Sequence, residues 1–264
     1  MSAKRGPPRH QPRKRFGQSF LVDAHYVTRI VDAIAPQRGD NLVEIGPGQA
    51  ALTRPLVAAA GHLTAIEIDR DLAAHLSAEF SAEELTLHVA DALEFDFGAL
   101  GASLRVVGNL PYNISSPLLF HVAQFESRIA DVHVMLQREV VARMTAEPAT
   151  PDYGRLTVML QARFRVTRLF TVPAGAFRPA PKVESAVARL VPLGASRPQI
   201  NDAALFARIV AAAFGQRRKT LRNALSELCD AHALTNAGVD PAARGEVLGV
   251  ADFVRLANAL SETA

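Results

Sequence analysis

The residues with the clearest chemical potential lie in one short run, Asn109-Leu110-Pro111-Tyr112, which follows the apolar stretch Leu104-Arg105-Val106-Val107. A turn needs only Gly, Asn and Pro. The Tyr directly after the Pro, and Asn113 behind it, exceed that need. Consider the amino group of adenine, a weak nucleophile because its lone pair is conjugated into the ring. Acceptors fixed opposite both of its N–H groups draw the nitrogen toward tetrahedral geometry and stabilise the positive charge that develops there. The Asn109 amide oxygen and a backbone carbonyl supply such acceptors. Pro111 biases Leu110 toward an extended conformation that presents its carbonyl outward. Tyr112 offers a flat face on which a base can stack.

A second constellation precedes it. In "EIGPGQAA", residues 44–51, Gly46, Gly48 and Ala51 fit the G-x-G-x-x-G/A pattern in which small residues let a ligand approach the backbone. Glu67 lies 21 positions after Gly46, where a carboxylate accepts from ribose hydroxyls. Those features suit either a nicotinamide dinucleotide or S-adenosylmethionine. Two acids tilt the choice. Glu44 places negative charge beside the loop, unwelcome to a pyrophosphate and suited to a ligand carrying an ammonium and a sulfonium. Asp91 can accept from an adenine amino group, or cap the turn that follows it.

These groups need a scaffold that brings them to one edge. Short apolar runs at 41–46, 62–69, 84–91, 104–109 and 131–137 read as buried strands. They alternate with helical patterns at 50–61, 70–80 and 115–125. Ser at the start of the last of these is a candidate cap, with Pro117 near the first turn. That alternation predicts an α/β fold with a parallel sheet covered on both faces, and functional loops at the carboxyl ends of the strands. Residues 153–164 read as helix and 170–193 as Pro-broken and extended. Beyond a boundary near 195, helices are expected at 202–214, 216–231 and 250–261, forming a small all-helical domain. The expected division is a basic flexible arm at 1–15, a catalytic domain at 16–195 and an RNA- or ribosome-binding domain at 196–264.

Charge separates along the chain. Residues 1–15 hold six basic side chains and no acid, leaving 23 basic against 26 acidic residues in the remainder. A second cluster, Arg217, Arg218, Lys219 and Arg222, sits late in the chain. Residues 218 and 222 stand one helical turn apart, which puts two charges on one face. An acidic body with two basic segments favours a polyanionic partner. One cysteine, Cys229, excludes an internal disulfide, and no apolar run approaches a membrane span. The arm lacks the apolar core of a secretory signal. No metal site is expected, because no His pair has ligand spacing beside a carboxylate or cysteine. A cytoplasmic protein follows from these readings, and with no heptad seam or other dimer signal a monomer is expected.

The string "NLPYNISSPLLFH" resembles the ribosomal RNA adenine dimethylase family. So do "RKRFGQSFL", "VEIGPGQAALT", "AIEIDRDLA", "MLQREVVARM", "FRPAPKVESAV" and "FGQRRKTLRN", in family order from residue 13 to nearly the end. The resemblance implies a Rossmann-like class I S-adenosylmethionine-dependent methyltransferase sheet with a small helical C-terminal domain. It implies N6,N6-dimethylation of two adjacent adenosines near the 3′ end of small-subunit ribosomal RNA, within the immature subunit. Gln18, Ser19 and Leu21 would then line the cofactor with Glu44, Gly46 and Gly48. Family members usually carry Asn or His where this chain has Ser19, so one direct contact is expected to be lost. Glu67 would take the ribose, Asp91 the adenine, and Asn109 both cofactor and substrate. Phe177 would stack on the face of the target base opposite Tyr112, unless it is an ordinary core residue. Arg217, Arg218, Lys219 and Arg222 would bind phosphates. The competing readings are a large-subunit relative of the antibiotic-resistance type, and a protein serving chiefly as a non-catalytic assembly factor.

Overall fold

A computed structural model of the chain describes residues 19–216 and 218–262. The basic arm, Gln18 and Arg217 lie outside the described residues. The chain forms two compact units. The first comprises residues up to Leu118, Arg128–Arg138 and Leu169–Arg189. The second comprises Leu119–Ser127, Glu139–Arg168 and the chain from Leu190 on.

After a two-residue strand β1 (Phe20–Leu21), helix α1 (Ala24–Ile34) starts where the Asp23 carboxylate accepts from the His25 backbone N–H. The strands β2 (Asn41–Ile45), β3 (Leu63–Glu67), β4 (Leu85–Val89), β5 (Leu104–Asn109) and β6 (Ile129–Gln137) fall where the apolar runs predict them. Between them lie α2 (Thr53–Ala60), α3 (Arg70–Glu79) and α4 (Ser115–Val122). Gly61 stops α2 at φ +88°, and Asp69 caps α3 by accepting from the Asp71 N–H. Three further strands follow: β7 (Phe164–Val172), β8 (Phe177–Arg178) and β9 (Ser185–Pro192).

The main sheet has seven strands in the order β4-β3-β2-β5-β6-β9-β7, and β8 pairs with β1 in a separate antiparallel ribbon. The pairs β3–β4, β2–β3, β2–β5 and β5–β6 are all parallel. Chain order runs outward from β2 through β4 on one side and from β5 through β6 on the other. The crevice outside their carboxyl ends is therefore the expected ligand site of such a sheet. Leu42, Leu56, Leu63, Val107 and Phe177 belong to its buried core.

At the opposite ends of the same strands a polar cluster fixes β5. Arg105 donates to Asp131 on β6 (Nη2 to Oδ2, 2.9 Å), to Asp40 (2.5 Å) and to the carbonyl of Ile34 at the end of α1 (2.5 Å). Burial pushes the Asp131 carboxyl up, but His133 and Arg105 outweigh it and hold it at about 2. Arg105 is the partner with direct hydrogen bonds, because His133 Nδ1 stays 3.6 Å from Asp131.

In the second unit, α5 (Arg138–Met144), α6 (Arg155–Gln161), α7 (Ala203–Gly215), α8 (Leu221–Ala224), α9 (Ala231–Asn236) and α10 (Val250–Ser261) contribute to the helical part. Its core holds Tyr153, Phe206, Leu221 and Phe253, and the Tyr153 hydroxyl donates to the Leu248 carbonyl at 2.7 Å. The region Met144–Gln161 thus shares a core with residues beyond 200, which sequence patterning alone does not reveal. The single helix expected at 216–231 is instead a turn followed by the short α8, and α9 begins only at Ala231. Backbone donors explain the break: Leu221 N–H goes to Ala243 O (2.7 Å) and Arg222 N–H to Pro241 O (3.0 Å) rather than to the preceding turn. Arg218 and Lys219 consequently lie in the turn before α8, so the one-face argument for residues 218 and 222 does not hold.

Asp131 has a depressed pKa in the folded state, so its stabilising contribution is present above the unfolded value near 4 and is lost as pH falls toward 2. Asp131→Asn should therefore cost on the order of 3 kcal/mol at pH 7 and much less at pH 2.5. Urea unfolding at the two pH values measures the difference.

Candidate active site

The carboxyl ends of β2, β3, β4 and β5 converge on a cavity of about 230 Å³. Ser19, Leu21, Glu44, Gly46, Gly48, Glu67, Asp91, Asn109, Leu110, Pro111 and Tyr112 all line it. Every described residue proposed for cofactor binding or for the catalytic turn therefore meets at one place.

Gly46 (φ +68°) and Gly48 (φ +59°) both occupy the left-handed region, and the Gly46 N–H donates to Ile66 O at 2.9 Å. A Cβ on Gly48 would come within 3.0 Å of the Phe20 ring, so Phe20 packs directly against the loop. The acids beside the loop are deeply buried. Glu44 is 2% exposed and Glu67 5%. Glu44 accepts from Thr53 Oγ1 at 2.7 Å. Desolvation dominates nonetheless, offset in part by the Thr53 bond and reinforced by Glu67, and pushes the Glu44 carboxyl up to about 7. Glu67 is raised by burial too, and is held in place by the N–H groups of Asp69 (2.9 Å) and Gly48 (3.2 Å). Both carboxylates lack a cationic partner among the described residues. Asp91 caps the turn after β4, its Oδ1 accepting from the Leu93 N–H at 2.9 Å, and the residue also lines the cavity.

The turn after β5 is held from several sides. Asn109 Nδ2 donates to the Ser19 carbonyl at 2.9 Å. Only an amide NH₂ can pair with a carbonyl, so this bond fixes the orientation and leaves Oδ1 as the acceptor. Leu110 N–H donates to Met135 O at 3.1 Å, which anchors the turn to β6. Ser115 is not a simple cap: its buried hydroxyl reaches back to the carbonyls of Pro111 (3.1 Å) and Tyr112 (3.3 Å). The Tyr112 hydroxyl pairs with Ser185 Oγ at 2.6 Å, and burial raises the phenol despite that bond. The half-buried ring and an amide oxygen with no donor among the described residues form a surface for a flat, amine-bearing base.

Residues 9–262 match the profile of the ribosomal RNA adenine dimethylases. The chain belongs to that family. It is 60% identical over 249 residues to the protein of Aromatoleum aromaticum named ribosomal RNA small subunit methyltransferase A, covering 94% of each chain. A dimethyladenosine transferase from Plasmodium falciparum shares the fold with a TM-score of 0.76 at 23% identity, over 92% of this chain and 97% of that one. The 23S rRNA methyltransferase ErmE superposes with a TM-score of 0.67 at 28% identity, over 92% and 99% of the two chains. The α/β methyltransferase fold expected from the sequence is thus the fold of this dimethylase.

Some expected residues stand elsewhere. Phe177 is fully buried on β8, in register with Leu21, and does not line the cavity. Stacking on a base needs an accessible ring face, so in this conformation Phe177 supports β1 from the core. Ser19 does line the cavity, with its hydroxyl taken up by the Pro179 carbonyl (2.6 Å). Arg218, Lys219 and Arg222 are exposed in the second unit. Sequence reasoning passed over Phe20, Ile68 and Ser185. Ile68 is 44% exposed and lines the cavity directly after Glu67, an apolar side chain left for a ligand to cover. Among the described residues, no cluster of three or more His, Cys, Asp or Glu is arranged to hold a metal ion, and no helix is long and apolar enough to cross a membrane.

Gly108 sets the distance between loop and turn. A Cβ there would lie 2.7 Å from Ile45 O and 2.9 Å from Leu110 Cδ2. Gly108→Ala should force β5 away from β2 and destabilise the fold by about 1–3 kcal/mol. The melting temperature should fall, and cofactor affinity measured by calorimetry should fall with it.

Proposed function

We propose that this dimethylase transfers methyl groups from S-adenosylmethionine to N6 of two adjacent adenosines near the 3′ end of small-subunit ribosomal RNA. It would act as a monomer in the cytoplasm, on the immature subunit, and contribute to subunit biogenesis. The observation that carries this reading is the pairing, in one cavity, of buried uncompensated acids with a neutral amide-and-tyrosine turn.

The cavity suits the cofactor. Glu44 and Glu67 offer negative charge to an ammonium and to ribose hydroxyls, Asp91 retains acceptor capacity for an adenine amino group, and Ile68 offers an apolar face. When bound, S-adenosylmethionine supplies a methyl group on a positively charged sulfur. The chain's own part is to position. Asn109 Oδ1 and the Leu110 carbonyl accept from the two N–H groups of the target amine, and Tyr112 stacks on its ring. The target base must leave any helix to enter, as in base flipping. Arg218, Lys219 and Arg222 attract phosphates, an interaction that carries affinity and no sequence information.

A large-subunit substrate is the second reading, since ErmE shares the fold at 28% identity. The 60% identity over nearly the full length with a small-subunit methyltransferase favours the first.

Two outcomes are expected. Small ribosomal subunits lacking the modification should gain N6,N6-dimethyladenosine from labelled cofactor, while large subunits gain none. Asn109→Ala should lower the rate by about 10²-fold or more. Label on large subunits would transfer the assignment to the ErmE-like reading. No label, with tight binding to small subunits, would leave an assembly factor.

The second concerns pH. A cationic ligand favours ionised Glu44, whose carboxyl is raised to about 7 in the free protein. Cofactor binding should therefore tighten as pH rises from 5.5 to 7.5 and release protons at the low end. Calorimetry in buffers of differing ionisation enthalpy should show this dependence flattened in Glu44→Gln.

A further inference from the structure

The segment between β8 and β9 is linked to the Asn109–Tyr112 turn at both of its ends, through Ser19 at the first and directly by Ser185 at the second. At the first end, β8 pairs with β1, with Leu21 opposite Phe177 and Phe20 opposite Arg178. A side-chain bond continues that ladder: Ser19 Oγ donates to Pro179 O at 2.6 Å. The carbonyl of the same Ser19 receives the Asn109 amide at 2.9 Å. At the second end, Ser185 opens β9 fully buried, and its Oγ pairs with the Tyr112 hydroxyl at 2.6 Å. Glu184 fastens this end to Arg138, the residue that follows β6: its carbonyl accepts from the Arg138 N–H at 2.9 Å and its carboxylate pairs with the Arg138 guanidinium at 3.0 Å.

We infer that residues 179–185 form a strap that sets the geometry of the methyl acceptor site, with Ser19 and Ser185 as its two positioning residues. Ser185 acts through the Tyr112 ring and Ser19 through the Asn109 amide; neither is assigned a contact with the reacting atoms. This inference rests on the roles proposed above for Asn109 and Tyr112. Chemistry requires it because an aromatic amine reacts only when both of its N–H groups and its ring plane are held together. The amide fixes the first and the phenol ring the second. A ring attached by one bond to a turn rotates unless its far end is tied, and Ser185 is the tie. An amide left without the Ser19 carbonyl in place has no reason to keep its oxygen toward the cavity.

The strap also accounts for Ser19. A side chain that donates to Pro179 holds the backbone of its own residue still, and it is that backbone carbonyl which orients Asn109.

The chain has three tyrosines, Tyr26, Tyr112 and Tyr153. Full-length protein labelled with 3-fluorotyrosine should give three fluorine resonances, and Tyr112→Phe identifies that of Tyr112. Ser185→Ala should shift or broaden the Tyr112 resonance and leave the other two in place. It should lower kcat roughly 10- to 100-fold with KM for S-adenosylmethionine within about twofold of wild type. Tyr112→Phe keeps the ring and removes the same hydrogen bond from the less buried side, so it should match Ser185→Ala in kcat. The double variant should be no slower than either single one. Ser19→Ala should lower kcat similarly, and Ser19→Thr, which keeps the hydroxyl, should restore it. An unmoved Tyr112 resonance in Ser185→Ala would overturn the strap, as would multiplicative effects in the double variant. An unchanged kcat in Tyr112→Phe would do so even where Ser185→Ala fails to fold. Absence of methyl transfer by wild type on any subunit would count against the proposed function, while the fluorine spectra would still judge the strap.

Discussion

The close approach of β5 to β2 is the constraint on which the site depends. These two strands lie at the reversal of strand order, and their carboxyl ends deliver the glycine loop and the catalytic turn to the same crevice. The spacing allows no side chain at Gly108, since even one carbon would meet the Ile45 carbonyl at 2.7 Å. The groups around Gly46, proposed for the cofactor, and those around Asn109, proposed for the methyl acceptor, are thereby held within one cavity. At the other end of β5, Arg105 ties the strand to β6, to Asp40 and to the end of α1. A strand fixed at one end by charged hydrogen bonds and at the other by backbone contact has little freedom to slide. Direct displacement at a methyl carbon asks for that rigidity, because positioning supplies much of the rate.

Electrostatics divides the cavity into two chemically distinct sides. On the loop side, Glu44 and Glu67 are buried and lack a cationic partner among the described residues. Burying carboxylates in this way costs stability, and Glu44 answers by holding its proton up to about pH 7. A site that is unfavourable when empty and favourable once a cation enters is one where binding is coupled to ionisation. Structural acids elsewhere in the chain behave differently. Asp131, with Arg105 against it, is held near 2. The contrast between these two buried carboxyl groups is one of partners: Asp131 has a guanidinium against it, and Glu44 has no cation among the described residues.

Much of this was legible in the sequence. The strands β2 to β6, the glycine loop and the acids following their strands were readable because apolar periodicity and turn chemistry are local properties. So was the Asn109–Tyr112 turn, whose surplus residues exceed what a turn needs. Long-range facts were not legible. Ser185 is 73 positions from Tyr112, and nothing in its neighbourhood marks it as a tie. Phe177 shows the reverse: the family resemblance implies a stacking role for it, yet its ring is fully buried, as the alternative of an ordinary core residue has it. The helix expected at 216–231 fails because Ala243 and Pro241, distant in sequence, take the backbone donors of Leu221 and Arg222. Local propensity cannot anticipate a competitor twenty residues away.

The two sides of the cavity also differ in how they treat charge during the reaction. The side proposed for the methyl acceptor presents groups that remain neutral across the physiological range: an amide, a carbonyl, and a phenol that burial keeps protonated. An ionised acid placed there would attract the target amine more strongly, but it would also take its proton or draw a cation into the place of the base. Fixed dipoles avoid both. They are weak toward a neutral amine and strengthen as positive charge develops on nitrogen, which is the differential stabilisation that lowers a barrier. The ionisable acids stand on the loop side, where Glu44 and Glu67 have no cationic partner among the described residues and are raised by burial. The sheet achieves this separation by placing acids at the ends of β2, β3 and β4 and an amide at the end of β5.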